Sequence, residues 1–521
     1  MSDIAQAPPQ QSAAPMTHRE ILEVMAGLLA ALFTALLSTT IVSTALPRII
    51  ADLGASQTAF SWVITTALLA NAASTPIWGK LADLFNKKLL VQLAIIIFVI
   101  GSMIAGASPN VEVLLAARVI QGVGMGGLTA LVVAIIGSII APRERGRYSG
   151  YMGAVMAVSM SGGPILGGVI TDGIGWRWCF YVSVPLAVCA LILIQRTLHL
   201  TTQRKGEVSI DWLGATLLTA GVSVLLIWVS FAGKNYDWIS STSAAYLVGG
   251  IGLLALTVFV ESRAKDPIIP LAIITERTTA LAILASIAVG VGMFGATSFL
   301  GLYFQTSRGY TPTIAGVLTI PMVLGMLVSS VGSGQLITRT GIWKPFVVGG
   351  AVIMVAGFAL LGTIDHQTPL ALVLLYITIV GLGVGSLMQN VVLAVQNTVS
   401  VRNVGSASST VAFFRTFGGA IGVSALGAVL AARVADLTEA GLAKLGVQVP
   451  AGGSGSGSQL DLSSVPGPIQ EIIRASYGDA TGRIFLVAAA CAVVTLIAVA
   501  LLPNRPLRAT LDLEPADGKP N

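Results

Sequence analysis

The sequence predicts an all-α integral membrane protein with fourteen transmembrane helices. Of its 521 residues, 55% are hydrophobic and only 10% are charged, whereas soluble domains carry about 25% charged residues. A chain this long and this apolar cannot hide its side chains in one water-soluble core, so we expect lipid to surround it. The 58 glycines agree with this class, because small residues let membrane helices pack backbone to backbone.

Fourteen stretches are long and apolar enough to cross a bilayer, which takes about 20 residues of helix. Their expected limits are 23–45, 60–78, 89–107, 112–140, 149–171, 178–197, 212–232, 243–262, 279–305, 313–336, 345–363, 369–398, 405–432 and 481–503. The even number of spans places both termini on the same side of the membrane.

The distribution of Lys and Arg predicts that this side is the cytoplasm. Nineteen of the 29 basic residues fall on the side of the termini and eight on the other, while Arg118 and Arg415 remain within spans. Basic residues accumulate in cytoplasmic loops, so we expect a multi-pass protein of the plasma (inner) membrane. The polar N-terminus lacks the layout of a signal peptide and is interpreted as a cytoplasmic tail.

A weak internal repeat predicts two six-helix bundles with two helices inserted between them. The stretch "GKLADLFNKK" starts at Gly79 after the second span, and "GQLITRTGIWK" starts at Gly334 after the tenth. An offset of eight spans fits a repeat of six helices plus a pair, and parallel repeats occur in transporters. The predicted units are a disordered cytoplasmic tail 1–20, an N-terminal bundle 21–200, an insertion with flanking loops 201–276, a C-terminal bundle 277–505 with an extracellular loop 433–480, and a cytoplasmic tail 506–521.

The stretch "GKLADLFNKK" predicts a tight cytoplasmic turn that acts as a gate. Gly79 would let two helices approach closely, and Asp83 could pair with a base such as Lys87 or Lys88, or with the N-terminus of a neighbouring helix. Such a cluster would hold the two bundles together and release when they rock apart. The simpler alternative is that the lysines only orient the chain in the membrane.

The fourth span contains "RVIQGVGMGG", in which Arg118, Gln121 and Gly122 share one face of a helix. A guanidinium in lipid is costly and usually faces a cavity or a partner. Two roles for Arg118 therefore stay open at this point: a fixed clamp between helices, or a group in the transport cavity.

The fifth span contains "SGGPILGG". Gly163 and Gly167 form a Gly-xxx-Gly contact face, Gly168 follows directly, and Pro164 adds a point at which the helix can bend.

Together these segments resemble the major facilitator superfamily, and within it the fourteen-spanner drug:proton antiporter family. "GKLADLFNKK" is similar to the family's cytoplasmic-gate motif, "RVIQG" to its membrane-embedded arginine motif and "SGGPILGG" to its antiporter motif. "LLSTTIVSTALPRI" and "FFRTFGGAIGVS" also look like this family, and the resemblance covers about residues 20–505. It implies the major facilitator fold, efflux of drugs and coupling to protons.

One departure from the family pattern concerns the coupling. Ser38 stands where the family usually has an acid in the first helix, and no Asp, Glu or His lies deep within any span. Proton coupling needs a group that titrates within the membrane. Arg118 therefore has no evident acidic neighbour, and it could bond Ser38, Gln121 or backbone carbonyls, or meet an anionic group of a substrate.

The substrate path is expected between the bundles near the middle of the membrane. The candidates for its lining are Gln305, Met388, Gln389 and Asn390. The side chains of Gln305, Gln389 and Asn390 could equally form hydrogen bonds between helices. Amide and thioether groups among apolar side chains suit hydrophobic molecules better than hydrophilic cations.

The function predicted is export of varied hydrophobic small molecules by alternating access, driven by protons where coupling is retained. The expected partners are the substrate, protons and membrane lipid, with no nucleic acid, cofactor or metal, and a monomer fits the pattern. A dedicated exporter of a lipid, siderophore or secondary metabolite stays open as an alternative. A non-transporting membrane sensor is less favoured, since no soluble output domain is visible, and no catalytic constellation indicates an enzyme.

Overall fold

The computed structural model describes residues 18–54, 57–198, 211–233, 236–264, 267, 271–400, 403–444 and 467–508, and these residues are overwhelmingly helical, with no β-strand among them. The first part of the chain forms α1 (His18–Asp52), α2 (Gln57–Leu84), α3 (Lys87–Ala107), α4 (Val111–Ile139), α5 (Pro142–Gly173), α6 (Trp178–Tyr181) and α7 (Ser183–Thr197). The inserted pair is α8 (Trp212–Phe231) and α9 (Ser241–Glu261). The last part forms α10 (Leu271–Thr275), α11 (Arg277–Leu302), a π-helical turn (Tyr303–Ser307), α12 (Pro312–Leu318), α13 (Ile320–Thr340), α14 (Lys344–Leu361), α15 (Leu370–Met388), α16 (Asn390–Gln396), α17 (Val404–Lys444) and α18 (Gly467–Ala500). The all-α class predicted from the composition is confirmed.

Thirteen described segments are long and apolar enough to cross a membrane, and α2 supplies the remaining predicted span. This helix falls short of that hydropathy because Asn71, Ser74 and Pro76 interrupt its apolar stretch. It packs between α4, α8 and α17, so protein rather than lipid surrounds much of it. A span that is enclosed in this way needs less hydrophobicity than one that faces lipid.

The helices form two halves, α1–α7 and α10–α18, that meet along two interfaces. Within the first half α4 packs on α2 and α3, and α5 packs on α1. Within the second half α17 packs on α11, and α15 packs on α13 and α14. Between the halves, α17 packs on α2 and α4, while α5 packs on α13 and makes smaller contacts with α12 and α16. One interface therefore centres on α17 and the other on α5.

The inserted pair lies beside one of these interfaces. α8 packs on α9, and it also contacts both α2 and α17, where Leu218 and Val222 share a buried cluster with Ala72 and Phe413. α8 thus touches both halves, while many side chains of α9 remain exposed along its length.

The expected loop 433–480 is largely helical where the structure describes it. α17 continues to Lys444 and α18 already begins at Gly467, while the "GGSGSGS" stretch lies outside the described residues. The two extensions pack on each other, with Gly441 directly facing Ile472. Asp479 then joins α18 to the turn before α15, where His366 Nδ1 lies 2.9 Å from its carboxylate. The apolar residues of these segments recur at helical spacing, which is the sequence signal for the two extensions.

Candidate functional site

Asp83 joins the two halves at the end of the bundle where α2 turns into α3. We call this end the basic face, because it is the predicted cytoplasmic side, to which most Lys and Arg residues are assigned. The backbone N–H groups of Gly405 and Ser406 donate to its two carboxylate oxygens at 2.9 and 2.8 Å, and the Ser406 hydroxyl donates at 2.7 Å. These residues open α17, where backbone N–H groups have no partner within the helix and the helix dipole is positive. Its carboxylate thus binds a helix N-terminus, which is one of the two kinds of partner considered for Asp83.

Gly79 brings α2 and α17 into backbone contact one turn before Asp83. A Cβ atom built on Gly79 would lie 2.8 Å from the Gly405 carbonyl oxygen and would collide with the Ser409 hydroxyl. A Cβ on Gly405 would in turn lie 2.5 Å from the Gly79 carbonyl oxygen. A side chain at either glycine would separate the helices and move Asp83 away from α17.

The two lysines of the motif have different surroundings. The charge of Lys87 acts on the Asp83 carboxylate, so Lys87 belongs electrostatically to this contact. Lys88 Nζ instead donates to the Gln195 carbonyl at 2.8 Å, at the end of α7. Lys88 therefore supports the packing of the first half and does not reach the other half.

The second interface repeats this crossing around Gly334. A Cβ on Gly146 would lie 2.5 Å from the Gly334 carbonyl oxygen, and a Cβ on Gly334 would collide with the backbone of Gly146. Four residues after Gly334, the Thr338 hydroxyl accepts the backbone N–H of Arg147 at 3.0 Å. Thr338 thus stands in the place of Asp83, and the repeat that begins at Gly79 and Gly334 is also a repeat of contacts.

A buried arginine adds a third link between the halves. Arg145, which is 1% exposed, donates from Nε to the Ile140 carbonyl at 2.6 Å, from Nη2 to the Gly137 carbonyl and from Nη1 to the Gln396 side chain at 3.1 Å. The Gln396 side-chain amide in turn donates to the Ser408 hydroxyl at 2.8 Å. The sequence indicated Arg145 only as one of several bases in a loop.

The segment after α18 crosses the same face. The Arg508 carbonyl accepts the backbone N–H of Arg143 at 3.1 Å in the first half. Its guanidinium donates to the carbonyls of Gln396 and Val399, each at 2.9 Å, in the second half. Residues predicted to form a tail therefore contact both halves.

Arg118 lies in a buried polar network within the first half. It is 2% exposed, its Nε donates to the Val63 carbonyl at 3.1 Å, and its Nη1 donates to the Gln121 side chain. The Gln121 amide donates to Ser38 at 3.2 Å and to Ser102 at 2.8 Å. No described acid bonds this guanidinium, so its charge is balanced by dipoles alone.

The remaining glycines of the two motifs fix helix packing inside the first half. A Cβ on Gly122 would lie 2.5 Å from the Ala67 carbonyl on α2, and one on Gly167 would lie 2.7 Å from the Ile41 carbonyl on α1. Gly163 meets Thr40 on α1 in the same way, whereas Gly168 has open space around it. Pro164 lies inside α5, and its Cβ is 3.7 Å from where a Cβ on Gly316 of α12 would stand.

Three of the four candidates for the substrate path meet at a break in the twelfth span. Met388 ends α15 and Asn390 begins α16, and both are buried, as is Gln389 between them. Asn390 donates to the Ser386 carbonyl at 2.7 Å and to Ser333 at 3.0 Å. Gln305 is apart from these three: it is exposed in the π-helical turn after α11 and takes part in none of these bonds.

Arg415 is the second arginine that the sequence places within a span. Its Nη1 donates to the Met388 carbonyl at 3.1 Å, at the break. A charged residue inside an apolar span was the signal, and only the fold shows which break it reaches.

The family model for the Major Facilitator Superfamily matches residues 28–423, which include the Asp83 contact, the Arg118 network, the α15–α16 break and Arg415. The chain belongs to the major facilitator superfamily. Its relatives in this superfamily are transporters rather than enzymes, and this chain is a multi-pass membrane transporter.

Three relatives show the breadth of the superfamily around this chain. It is 34% identical to the multidrug transporter protein MdtP of Bacillus subtilis, covering 84% of this chain and 80% of that one. It is 36% identical to the efflux pump dotC of Dothistroma septosporum, covering 94% and 85%. It is 35% identical to an uncharacterized MFS-type transporter of Mycobacterium tuberculosis, covering 90% and 67%.

Two solved structures of the superfamily share the fold. The proton:xylose symporter XylE aligns with a TM-score of 0.61 at 14% identity, covering 94% of this chain and 98% of that one. The human organic anion transporter MFSD10 aligns with a TM-score of 0.60 at 13% identity, covering 90% and 99%. At these identities the likeness concerns the fold alone.

Proposed function

We propose that this protein exports hydrophobic small molecules, neutral or anionic, across the plasma membrane by alternating access, with the basic face in the cytoplasm. The observation that carries the proposal is the Asp83 contact. One carboxylate and three hydrogen bonds hold the start of α17 against the end of α2, across the boundary between the halves.

The contact can both close and release the basic face. Glycines place the two backbones in contact with little interdigitation of side chains, so the helices can part without repacking a core. The bonds that break are polar and lie at the edge of the membrane, where water replaces them when the halves separate. Outward release of substrate would occur with the Asp83 contact formed, and uptake from the cytoplasm with it broken.

The proposed substrates follow from the charges of the membrane interior. Arg118 contributes a positive charge that no described acid neutralises. Ser38, which accepts from Gln121, stands where the drug:proton antiporter family usually has an acid. An additional unpaired cation in such a site costs several kcal/mol. Permanent dications should therefore be exported poorly, and Ser38→Asp should extend export toward them.

Proton antiport is the proposed energy source, on the strength of the similarity to the antiporter family and of the multidrug relatives. The test is export of a neutral fluorescent dye into inverted membrane vesicles, with and without a proton gradient. Accumulation that stops when an ionophore collapses the gradient supports antiport. Accumulation that is indifferent to the gradient refutes it and leaves facilitated transport.

The orientation has its own test, in a background without the three native cysteines. Lys444→Cys at the end of α17 should react with a membrane-impermeant maleimide in intact cells, and Arg143→Cys at the start of α5 should react only after lysis. The opposite pattern would place the basic face outside.

A dedicated exporter of one metabolite is the second candidate. Another relative, 33% identical over 81% of this chain, is named the acurin A biosynthesis cluster MFS-type transporter of Aspergillus aculeatus. Overproduction separates the two: raised resistance to many unrelated hydrophobic compounds supports the broad exporter, and unchanged resistance to all of them supports the dedicated one.

A further inference from the structure

We propose that the α15–α16 break and Arg415 form a binding site for the anionic group of an amphipathic substrate, such as a carboxylate, sulfonate or phosphate. The inference rests on the proposed export function and names the substrate class that the transport site prefers.

Arg415 lies near the middle of the membrane. It is the twelfth residue of α17, which begins at the basic face, and with a rise of 1.5 Å per residue its Cα lies about 16 Å along the helix. The apolar core of a bilayer is about 30 Å thick. A guanidinium at this depth is costly, and such groups usually mark a cavity or a partner.

Most donors of this guanidinium are available. Nη1 donates to the Met388 carbonyl, and no other hydrogen bond of the Arg415 side chain exists among the described residues. Its Nε and Nη2 are nevertheless not sealed from solvent, since neither is among the buried unbonded atoms. Arg415 as a whole is half-buried. The unbonded edge of the guanidinium therefore keeps some accessible surface.

No described acid compensates the charge. Arg415 forms no ion pair within the described part of the chain, and pairs such as Arg19–Glu23, Arg48–Asp52 and His366–Asp479 lie away from the break. A charged donor is not required to bond a free carbonyl at the break, because the neutral amide of Asn390 bonds the Ser386 carbonyl there. The guanidinium supplies a positive charge and spare donors beyond what the break requires.

The break lies at the boundary between the halves. The Gln389 amide Nε2 approaches Met156 Sδ of α5 at 3.7 Å, across that boundary. The symmetry of the two glycine crossings supports the same location: Met156 follows Gly146 by ten residues, and Arg415 follows Gly405 by ten. The position that is Met156 in the first half is therefore Arg415 in the second half, and both side chains reach the break.

These groups suit one end of an amphipathic anion. A guanidinium binds a carboxylate or phosphate through two parallel N–H groups. The amide of Gln389, the residue after the Met388 carbonyl that Arg415 binds, can donate a further bond. Met156 and Met388 supply adaptable apolar surface for the adjoining carbon chain.

Binding of two probes that differ only in charge tests the proposal: 11-(dansylamino)undecanoic acid and its primary amide. Full-length protein in phosphatidylcholine nanodiscs is titrated with each, and empty discs are subtracted. The unmodified protein should bind the acid at least about tenfold more tightly than the amide. Arg415→Gln should raise the Kd of the acid by about tenfold and that of the amide by less than about threefold.

The matched control is Arg483→Gln, the same change at an exposed position of α18, which should leave both Kd values unaltered. Arg415→Lys retains the charge without the fork and should keep most of the preference for the acid, and it provides the measurement where Arg415→Gln does not fold. Equal losses for acid and amide would show a merely structural arginine and overturn the proposal.

Two further outcomes also overturn it. An unmodified protein that binds the amide as well as the acid has no anion site, although export of neutral molecules would stand. Loss of the acid preference in discs containing phosphatidylglycerol, restored in phosphatidylcholine, would assign Arg415 to a lipid phosphate instead of a substrate.

Discussion

The two contacts that join the halves at the basic face share one crossing but use different chemistry. In both, a pair of glycines places helix backbones together, Gly79 on Gly405 and Gly334 on Gly146. The residue four positions further on then bonds the partner helix. In the α2–α17 contact it is an acid with three hydrogen bonds, and in the α5–α13 contact it is a threonine with one.

The reason for the difference lies in where the partner helix begins. α17 begins at Val404, so the N–H groups of Gly405 and Ser406 belong to its first turn and need an acceptor. α5 begins at Pro142, one turn before Gly146, so the N–H of Arg147 is already within the helical ladder. A carboxylate is needed only where unsatisfied donors and the positive end of the dipole meet the contact. The two halves thus share the glycine crossing, but only the α2–α17 crossing has a charged residue, Asp83, in the contact.

Loss of the charge should have the largest effect. Hydrogen bonds to a charged group are worth about 1.5–3 kcal/mol each. Asp83→Asn replaces one carboxylate oxygen with an NH₂ group, which cannot accept from the backbone N–H groups of α17. We expect export to fall by at least about tenfold, with normal insertion and yield. Dye accumulation in inverted vesicles measures the loss.

The accompanying structural measurement is the reactivity of Ser409→Cys, which lies under Gly79 and should become accessible from the basic face in the Asp83→Asn background. Normal export by a folded Asp83→Asn protein would mean that "GKLADLFNKK" serves only for orientation.

Adding a methyl group at the crossings should affect both contacts. Gly79→Ala and Gly334→Ala should each reduce export by about three- to tenfold. Gly334→Ala should be the worse, because its Cβ would collide directly with the backbone of Gly146, whereas the nearest backbone atom at Gly79 is the Gly405 carbonyl oxygen at 2.8 Å. Gly349→Ala in α14, where nothing lies within 4 Å, is the control. A harmless Gly334→Ala would show that the α5–α13 contact does not close.

An acid placed in the neutral contact should sharpen the comparison. Thr338→Asp puts a carboxylate beside the N–H of Arg147, in a basic environment, and should hold the face closed. We expect export to slow by about two- to fivefold, with Ser330→Cys on α13 less reactive than in the parent. Increased reactivity would contradict a stabilised closed state and indicate that α5 offers no site for a carboxylate.

Removal of the threonine hydroxyl should have the smallest effect. Thr338→Val deletes one neutral hydrogen bond, worth about 0.5–1.5 kcal/mol, from an N–H that its own helix also satisfies. Export should change by about twofold or less. A loss as large as that of Asp83→Asn would erase the distinction between a charged and a neutral contact.

Lys88 and Lys344 illustrate how far the sequence repeat extends. The repeat was visible as two motifs that each end in a lysine. In the structure Lys88 Nζ caps a carbonyl of Gln195, at the end of the last helix of its half, and Lys344 Nζ caps Leu502, just after the last helix of the other half, at 2.6 Å. Short-range sequence patterns predict this symmetry. They do not predict the partners of the two lysines, which are more than a hundred residues away in the chain.

The sequence by itself determined the class of protein, the order of the apolar spans, and the presence of the "GKLADLFNKK" motif, a membrane arginine and a glycine-rich fifth span. These follow from hydrophobicity, helix length and local residue spacing, which depend on neighbours in the chain. Only the tertiary structure decided that Asp83 binds the start of α17, that Arg118 bonds Gln121 and the Val63 carbonyl, that Gln305 lies apart from Met388, Gln389 and Asn390, and that Arg415 reaches the α15–α16 break. Those pairings depend on where each helix ends and which helix it crosses, and the contact of Asp83 with α17, made across 322 residues, leaves no periodic trace in the sequence.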